Sequence, residues 1–294
     1  MLLRAGASAI DLSAPRSTTR SIGTGATSRQ RGRGLEFEEV RAYAPGDDVR
    51  SIDWRVSART GRVHTRLFRT ERERPVYLLL DQRQPMFFGT RGSMKSVQAA
   101  HAAALLAWAA LAGGDRVGGI VLGNSRVREI RPRRSRRAVL GFLRIASEAN
   151  AALGASASDP TQTRMASALS LLRRLCRPGS LVLVLSDFHD WTDDCAVQLR
   201  LLARHGEVHG LHVHDAMELA LPAAGSARFS DGREAVLVDT FSEALRDAWS
   251  RDAGARLLRL QEAFRTAQAR LTPVPTGASA GAILGLCYAR RRGA

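Results

Sequence analysis

The pattern of apolar and polar positions changes character twice along the chain. Residues 1–30 show no period, are rich in Ser, Thr, Gly and Arg, and read as a flexible tail. From 31 to 75, short strand-like runs alternate, as in 63–68, and Pro45-Gly46-Asp47-Asp48 signals a turn. Either Asp47 or Asp48 is suited to cap a helical turn after it. Beyond 75 the runs become continuous. Residues 76–80 are apolar throughout and end in Asp81, which predicts a strand buried on both faces. An Ala-rich helix is predicted over 93–112, closed by Gly113-Gly114. Strands follow at 117–122 and 126–131, the second antiparallel because its link through Gly123-Asn124 is short. Helices are expected at 134–148, 164–176 and 193–203, and strands at 181–185 and 208–213, the first ending in Ser186-Asp187. Residues 226–238 read as a hairpin around Asp231-Gly232. Residues 240–271 read as a long helix interrupted near Gly254, and 280–291 as a last helix.

Strands alternating with helices of this length predict an α/β fold: a mostly parallel sheet with helices on both faces, plus a small β-rich N-terminal subdomain. The expected organisation is a tail over 1–30, the β-rich subdomain over 31–75 and the α/β domain over 76–240. Residues 241–294 are read as C-terminal helices packed on the sheet. Ligands of such sheets bind outside the carboxyl ends of the strands, where Asp81 and Asp187 both fall.

Composition narrows the compartment. Cys176, Cys195 and Cys287 are far apart and form no CxxC pair, which argues for a reducing, cytoplasmic setting rather than a disulfide framework. The N-terminus has no signal-peptide pattern, and the longest apolar stretch, 102–112, is about half a bilayer span, so no membrane span is expected. The net charge is +16, nearly all of it arginine, and Lys95 is the only lysine. Arginines crowd 126–137, with Arg131, Arg133, Arg134, Arg136 and Arg137 forming a basic patch. No aromatic residues interleave with them and no helix-turn-helix or zinc finger accompanies them, so an acidic protein surface is the expected partner and nucleic acid the alternative. His205, His209, His212 and His214 crowd one strand and its approach without a closed set of four ligands, and read as incidental on an edge or partly exposed strand. No GxSxG, P-loop, HExxH or strand-to-helix GxGxxG motif occurs, so no enzymatic activity is expected.

The densest local signal runs from Tyr43 to Trp54, with Arg41 before it and Arg59 after it. Its turn, acids and arginines suit charge-paired folding or a docking surface. Residues 32–59 resemble the signature of the DUF58 family through Arg41, Tyr43, Gly46, Asp47, Asp48, Arg50, Asp53, Trp54 and Arg59. Gly114 to Gly118 and Ser186-Asp187-Phe188 resemble further family positions. The resemblance implies a von Willebrand factor A-like domain and a non-enzymatic adaptor. Its partner would be a MoxR-type AAA+ ATPase, acting with it in maturation or assembly of a client protein.

It also implies a divalent-ion site of the form Asp-x-Ser-x-Ser, Thr and a later Asp, which falls here on Asp81, Arg83, Pro85, Thr163 and Asp187. Both serine positions are lost, and Arg83 is a permanent cation where the ion would sit. No cofactor is therefore expected. A metal-dependent binder retaining Mg2+ or Mn2+ on Asp81, Thr163 and Asp187 is the alternative. Two placements of Arg83 stay open at this point. It pairs with Asp81 and Asp187, or it points to solvent while Asp81 caps a helix or loop.

Overall fold

The computed structural model describes residues 35–44, 49, 52–70, 73–90, 92–153, 163–230 and 234–287. They fall into two compact units, one within 18–73 and one from Arg74 onward. In the smaller unit, β1 (Leu35–Ala42) and β2 (His64–Thr70) pair antiparallel, with a bulge between Phe37 and Glu39. Helix α1 (Trp54–Thr60) lies between them in the chain. The Asp53 carboxylate caps it by accepting from the backbone N–H groups of Arg55 and Val56, each at 3.1 Å. Gly61, at φ 70°, closes it in the left-handed conformation that favours glycine. The Ser57 hydroxyl donates to the Asp53 carbonyl and accepts from the His64 N–H, tying helix to strand. The cap described here is thus Asp53. Gly46, Asp47, Asp48 and Arg50 lie outside the described residues.

The larger unit is built on period-two burial. It runs β3 (Pro75–Gln82), α2 (Lys95–Ala112), β4 (Arg116–Gly123), β5 (Val127–Arg133), α3 (Arg136–Ala151) and α4 (Met165–Leu175). It continues through β6 (Ser180–Ser186), α5 (Asp193–Ala203), β7 (Gly206–His214), the single turn α6 (Ala216–Leu219), the hairpin β8 (Ser226–Ser230) and β9 (Ala235–Asp239), α7 (Glu243–Thr266), β10 (Arg270–Pro275) and α8 (Ala280–Cys287). In β3, Val76, Leu78 and Leu80 enter one core while Tyr77 and Leu79 enter the other. Leu181, Leu183 and Leu185 of β6 divide from Val182 and Val184 in the same way. Strands apolar on both faces need a helical layer on each side. Helices α2, α3 and α8 supply the first layer, and α4, α5 and α7 the second.

The six-stranded sheet has the order β10-β7-β6-β3-β4-β5, parallel except for β5. Counted along the chain, this is the doubly wound order, whose switch point lies between β3 and β6. Asp81 and Ser186-Asp187 therefore meet at the place where such a sheet opens. The α/β expectation is met. No helix among the described residues is long and apolar enough to cross a membrane.

Three local expectations are corrected. The helix predicted over 240–271 ends at Thr266, where Gln268 at φ 55° turns the chain into β10. Pro273 and Pro275 lack ladder N–H groups, but β10 is a sheet edge, where a missing N–H is tolerated. Residues 241–294 thus contribute a strand as well as helices, and the α/β domain continues past 240. Because β10 covers β7, the histidine-bearing strand is not an edge, although His205, His212 and His214 are partly exposed, as the other half of that expectation had it. Gly254 does not interrupt α7.

Two glycine substitutions separate backbone necessity from habit. Gly119 sits at φ 152°, and a Cβ there would lie 2.0 Å from the Leu78 carbonyl oxygen of the paired strand. Gly119→Ala is expected to cost about 3 kcal/mol or more through overpacking and backbone strain. At Gly254 a Cβ meets nothing within 4 Å, and Gly254→Ala should stabilise by about 0.5–1 kcal/mol through helix propensity. Urea denaturation of both variants checks the opposite signs.

Candidate functional site

At the switch point the chain leaves β3 through a short 3-10 turn, Gln84–Met86, and the Arg83 side chain folds back over the strand end. Arg83 is 3% exposed. Its guanidinium makes two forks. Nε and Nη2 donate to the Asp81 oxygens at 2.9 and 2.7 Å, while Nη1 and Nη2 donate to the Asp190 oxygens at 2.8 Å each. Nη1 also donates to the Thr163 carbonyl at 3.3 Å. All five guanidinium N–H groups thus have acceptors, which is what burial of such a group demands.

The neighbouring acid has a cation of its own. Lys95, 1% exposed, begins α2 and donates through Nζ to Asp187 Oδ2 at 2.7 Å and to Glu218 Oε1. An ammonium at a helix N-terminus opposes the helix dipole, so these two carboxylates are needed to hold it. Glu218 belongs to the one-turn helix α6, where it also accepts from the Asp215 N–H in a capping box. Trp249 of α7 pins that turn from outside, its Nε1 donating to the Met217 and Glu218 carbonyls. Two protein cations, Arg83 and Lys95, therefore supply at the switch point the two positive charges that one divalent ion would bring.

The acids are aimed by a strained turn. Phe188 adopts φ 53°, which is uncommon for a bulky residue. Its buried ring is held edge-on by Trp191 and Phe264, with centroids 5.6 and 5.5 Å away. The Ser186 hydroxyl donates to Asp81 Oδ2 at 2.7 Å and accepts from the Phe188 N–H at 2.9 Å. Asp190, two residues on from Phe188, also accepts from the Met165 N–H at the start of α4. Together these contacts send Asp187 toward Lys95 and Asp190 toward Arg83.

Of the two placements left open for Arg83, the structure has the inward one, and it sets Asp81, Arg83, Asp187 and the Thr163 carbonyl, rather than the Thr163 hydroxyl, at one strand end. The second carboxylate on Arg83, however, is Asp190 rather than Asp187, because Lys95 already holds Asp187. Asp190, Lys95 and Glu218 were missed. The one available signal was that the chain's only lysine opens a long, Ala-rich buried helix. Thr163 turns its hydroxyl away to donate to the Gly123 carbonyl at 2.6 Å. The residues present do not fit Mg2+ or Mn2+. The Asp81 oxygens are taken by Arg83 and Ser186, the Thr163 hydroxyl by a backbone carbonyl, and a guanidinium lies between the acids. No group of three or more metal-ligating side chains occurs among the described residues. His209 is buried against Thr272, and burial pushes its pKa down to about 3 and that of His212 down to about 4. The basic-patch residues Arg131, Arg133, Arg134, Arg136 and Arg137 are exposed on β5 and the start of α3, on the far side of β4 from the switch point.

Electrostatics follow the pairing. Burial opposes ionisation of Asp187 and Asp190, but Lys95 and Arg83 respectively outweigh it and hold both below the usual carboxylate range. Burial raises Asp81 against the pull of Arg83 and Ser186, with the Asp187 charge adding to the rise. Asp215 is buried too, yet bonds from Thr90, Thr276 and the Met217 N–H draw it down to about 2. The Asp187 and Glu218 charges outweigh burial at Lys95 and raise it above its ordinary 10.5.

Residues 39–257 match the family model described as "Protein of unknown function DUF58". An uncharacterized protein of Mycobacterium tuberculosis and one of Mycobacterium bovis are each 31% identical over 269 residues, covering 90% of this chain and 82% of the relative. Among solved structures, the conserved hypothetical protein BatB from Bacteroides thetaiotaomicron is similar at 15% identity and TM-score 0.45, covering 72% of this chain and 94% of that one. The SpRpn10 VWA domain is similar at 10% identity and TM-score 0.38, covering 73% and 94%.

Truncating Arg83 leaves the buried Asp81 and the partly buried Asp190 carboxylates without their shared cation. Arg83→Ala is expected to destabilise by about 3–5 kcal/mol, and Arg83→Lys to recover little, since an ammonium cannot make both forks. Urea denaturation of the two variants decides this. The pH dependence has a stated sign. Asp187, Asp190 and Asp215 have lowered folded pKa values, so their contribution is full above the ordinary carboxylate value of 3.8 and is lost as pH falls through the folded values. The raised Asp81 offsets part of that loss. Lys95 contributes fully below 10.5 and loses its contribution only as pH rises past its raised value. Urea midpoints should hold flat from about pH 5 to 8 and fall on the acid side.

Proposed function

The chain belongs to the DUF58 family, and from that footing we propose that it is a non-enzymatic protein-interaction module, an adaptor for a MoxR-type AAA+ ATPase in maturation or assembly of a client protein. One observation carries the interaction reading. The loop between Asp81 and Lys95 is rigidly anchored, yet it presents Phe87, 41% exposed, at the carboxyl-end face. Met86 beside it is fully buried. The Gln84 N–H donates to Asn124 Oδ1 at 2.6 Å, and the Thr90 N–H and hydroxyl both donate to Asp215, at 2.9 and 2.6 Å. The Lys95 N–H closes the loop onto the Phe88 carbonyl at 2.7 Å. A preorganised loop loses little entropy on binding, and an exposed aromatic on such a loop is the usual anchor of an interface.

The chemistry around the loop favours binding over turnover. The Ser186 hydroxyl is committed to Asp81 and to the Phe188 N–H, and Arg83 and Lys95 are each held between two carboxylates. A cytoplasmic setting accords with two free, buried cysteines, Cys176 and Cys195, whose thiols burial raises, Cys176 to about 12. The choice of a MoxR-type partner rests on the family resemblance. A metal-bridged mode of binding is not favoured, because the donor atoms it needs are already engaged.

Phe87→Ser should weaken binding to a purified MoxR-type ATPase at least about tenfold in biolayer interferometry, close to 1.4 kcal/mol. Thermal unfolding should be nearly unchanged. Equal binding by the variant would remove this face from the interface.

A further inference from the structure

A second surface lies two strands away and is independent of the switch-point loop. Between 124 and 147 the chain carries eight arginines against one acid, Glu129. The structure spreads them along the exposed edge strand β5 and over α3. Arg128 and Arg144 are engaged by Glu148. Arg126, Arg131, Arg133, Arg136 and Arg137 are exposed and make no ion pair among the described residues. Beside the start of this belt opens a groove of about 400 Å3, within the size range of ligand clefts. Its lining includes Val121, Ala149, Ala152 and Leu153, with Arg126 and Arg128 at its edge.

We propose that this groove and arginine belt bind an acidic, extended segment of a partner protein, with an apolar side chain of that segment in the groove and its carboxylates on Arg126, Arg131 and Arg133. Three observations select this occupant. Val121, Ala149, Ala152 and Leu153 give an aliphatic side chain a seat that a phosphate cannot use, within a lining that also holds Gln82, Asn124, Ser125 and Glu148. The one aromatic residue in the region, Phe142, is fully buried, so no stacking platform for nucleic-acid bases exists there. The edge itself is blunted. β5 contains Pro132, and its register with β4 shifts between Val117 and Gly119, so pairing with an added strand is interrupted. Recognition therefore falls to side chains, with arginine forks reading carboxylates.

The test is fluorescence anisotropy on the full chain with three labelled probes of equal charge: a Glu/Leu peptide, a polyglutamate peptide and a single-stranded oligonucleotide. The Glu/Leu peptide is expected to bind at least tenfold tighter than either of the others. Arg131→Glu with Arg133→Glu, both exposed positions, should abolish that binding without moving the unfolding midpoint. Ala152→Phe, which fills the groove, should remove the advantage over polyglutamate and leave the weaker charge-driven binding. Phe87→Ser should change nothing, which separates this proposal from the switch-point interface. Oligonucleotide binding as tight as that of the Glu/Leu peptide would overturn the proposal in favour of a nucleic-acid face. Peptide binding that is undetectable, indifferent to the arginine variants or lost in Phe87→Ser would overturn it outright.

Discussion

The double fork of Arg83 between Asp81 and Asp190 is the contact on which the carboxyl-end face depends. Each partner comes from a different segment: Asp81 from the end of β3, Asp190 from the turn after β6, and the Thr163 carbonyl from the approach to α4. One planar group with five donors thus sets the spacing of three chain segments at the opening of the sheet. A monovalent point charge has no such directional reach. Burying these ions costs several kcal/mol each in desolvation, and the cost is offset only because every donor finds an acceptor. The arrangement is therefore stiff, since any displacement strands a charge in a dry interior.

Lys95 extends the same logic sideways. It takes Asp187 out of competition for Arg83 and fastens α6 to the sheet through Glu218. Trp249 then joins α6 to α7, and its ring lies 5.8 Å from that of Phe229 in the β8–β9 hairpin. A two-stranded hairpin has little stability alone, so its placement here draws on α7. The chain of contacts from β3 to the hairpin runs through ion pairs, a capping box and one indole.

How legible this was in the sequence differs by feature. Continuous apolar runs marked β3 and β6 because burial on both faces leaves no polar positions, and the acids ending them pointed at the switch point unaided. The permanent charge of Arg83 beside Asp81 was readable, but whether it turned inward to the acids or out to solvent was not. Its second partner was not, since Asp190 reaches it only through the left-handed turn at Phe188, and no residue type announces a strained φ at a phenylalanine. Strand β10 was hidden by Pro273 and Pro275, whose tolerance depends on being at an edge, a fact of topology rather than of local pattern. The edge reading of the histidine strand failed for the same reason, since β10 covers β7, while the partial exposure of His212 and His214 was legible.

A site that carries its own cations differs in kind from one that waits for an ion. An ion-dependent face has two states, loaded and empty, and its affinity for partners follows the supply of metal. Here both positive charges are covalently part of the chain, and the acids facing them are held ionised against burial at Asp187 and Asp190. The face is consequently assembled as the domain folds, and on the proposed interaction reading it would offer a partner its shape and the Phe87 side chain.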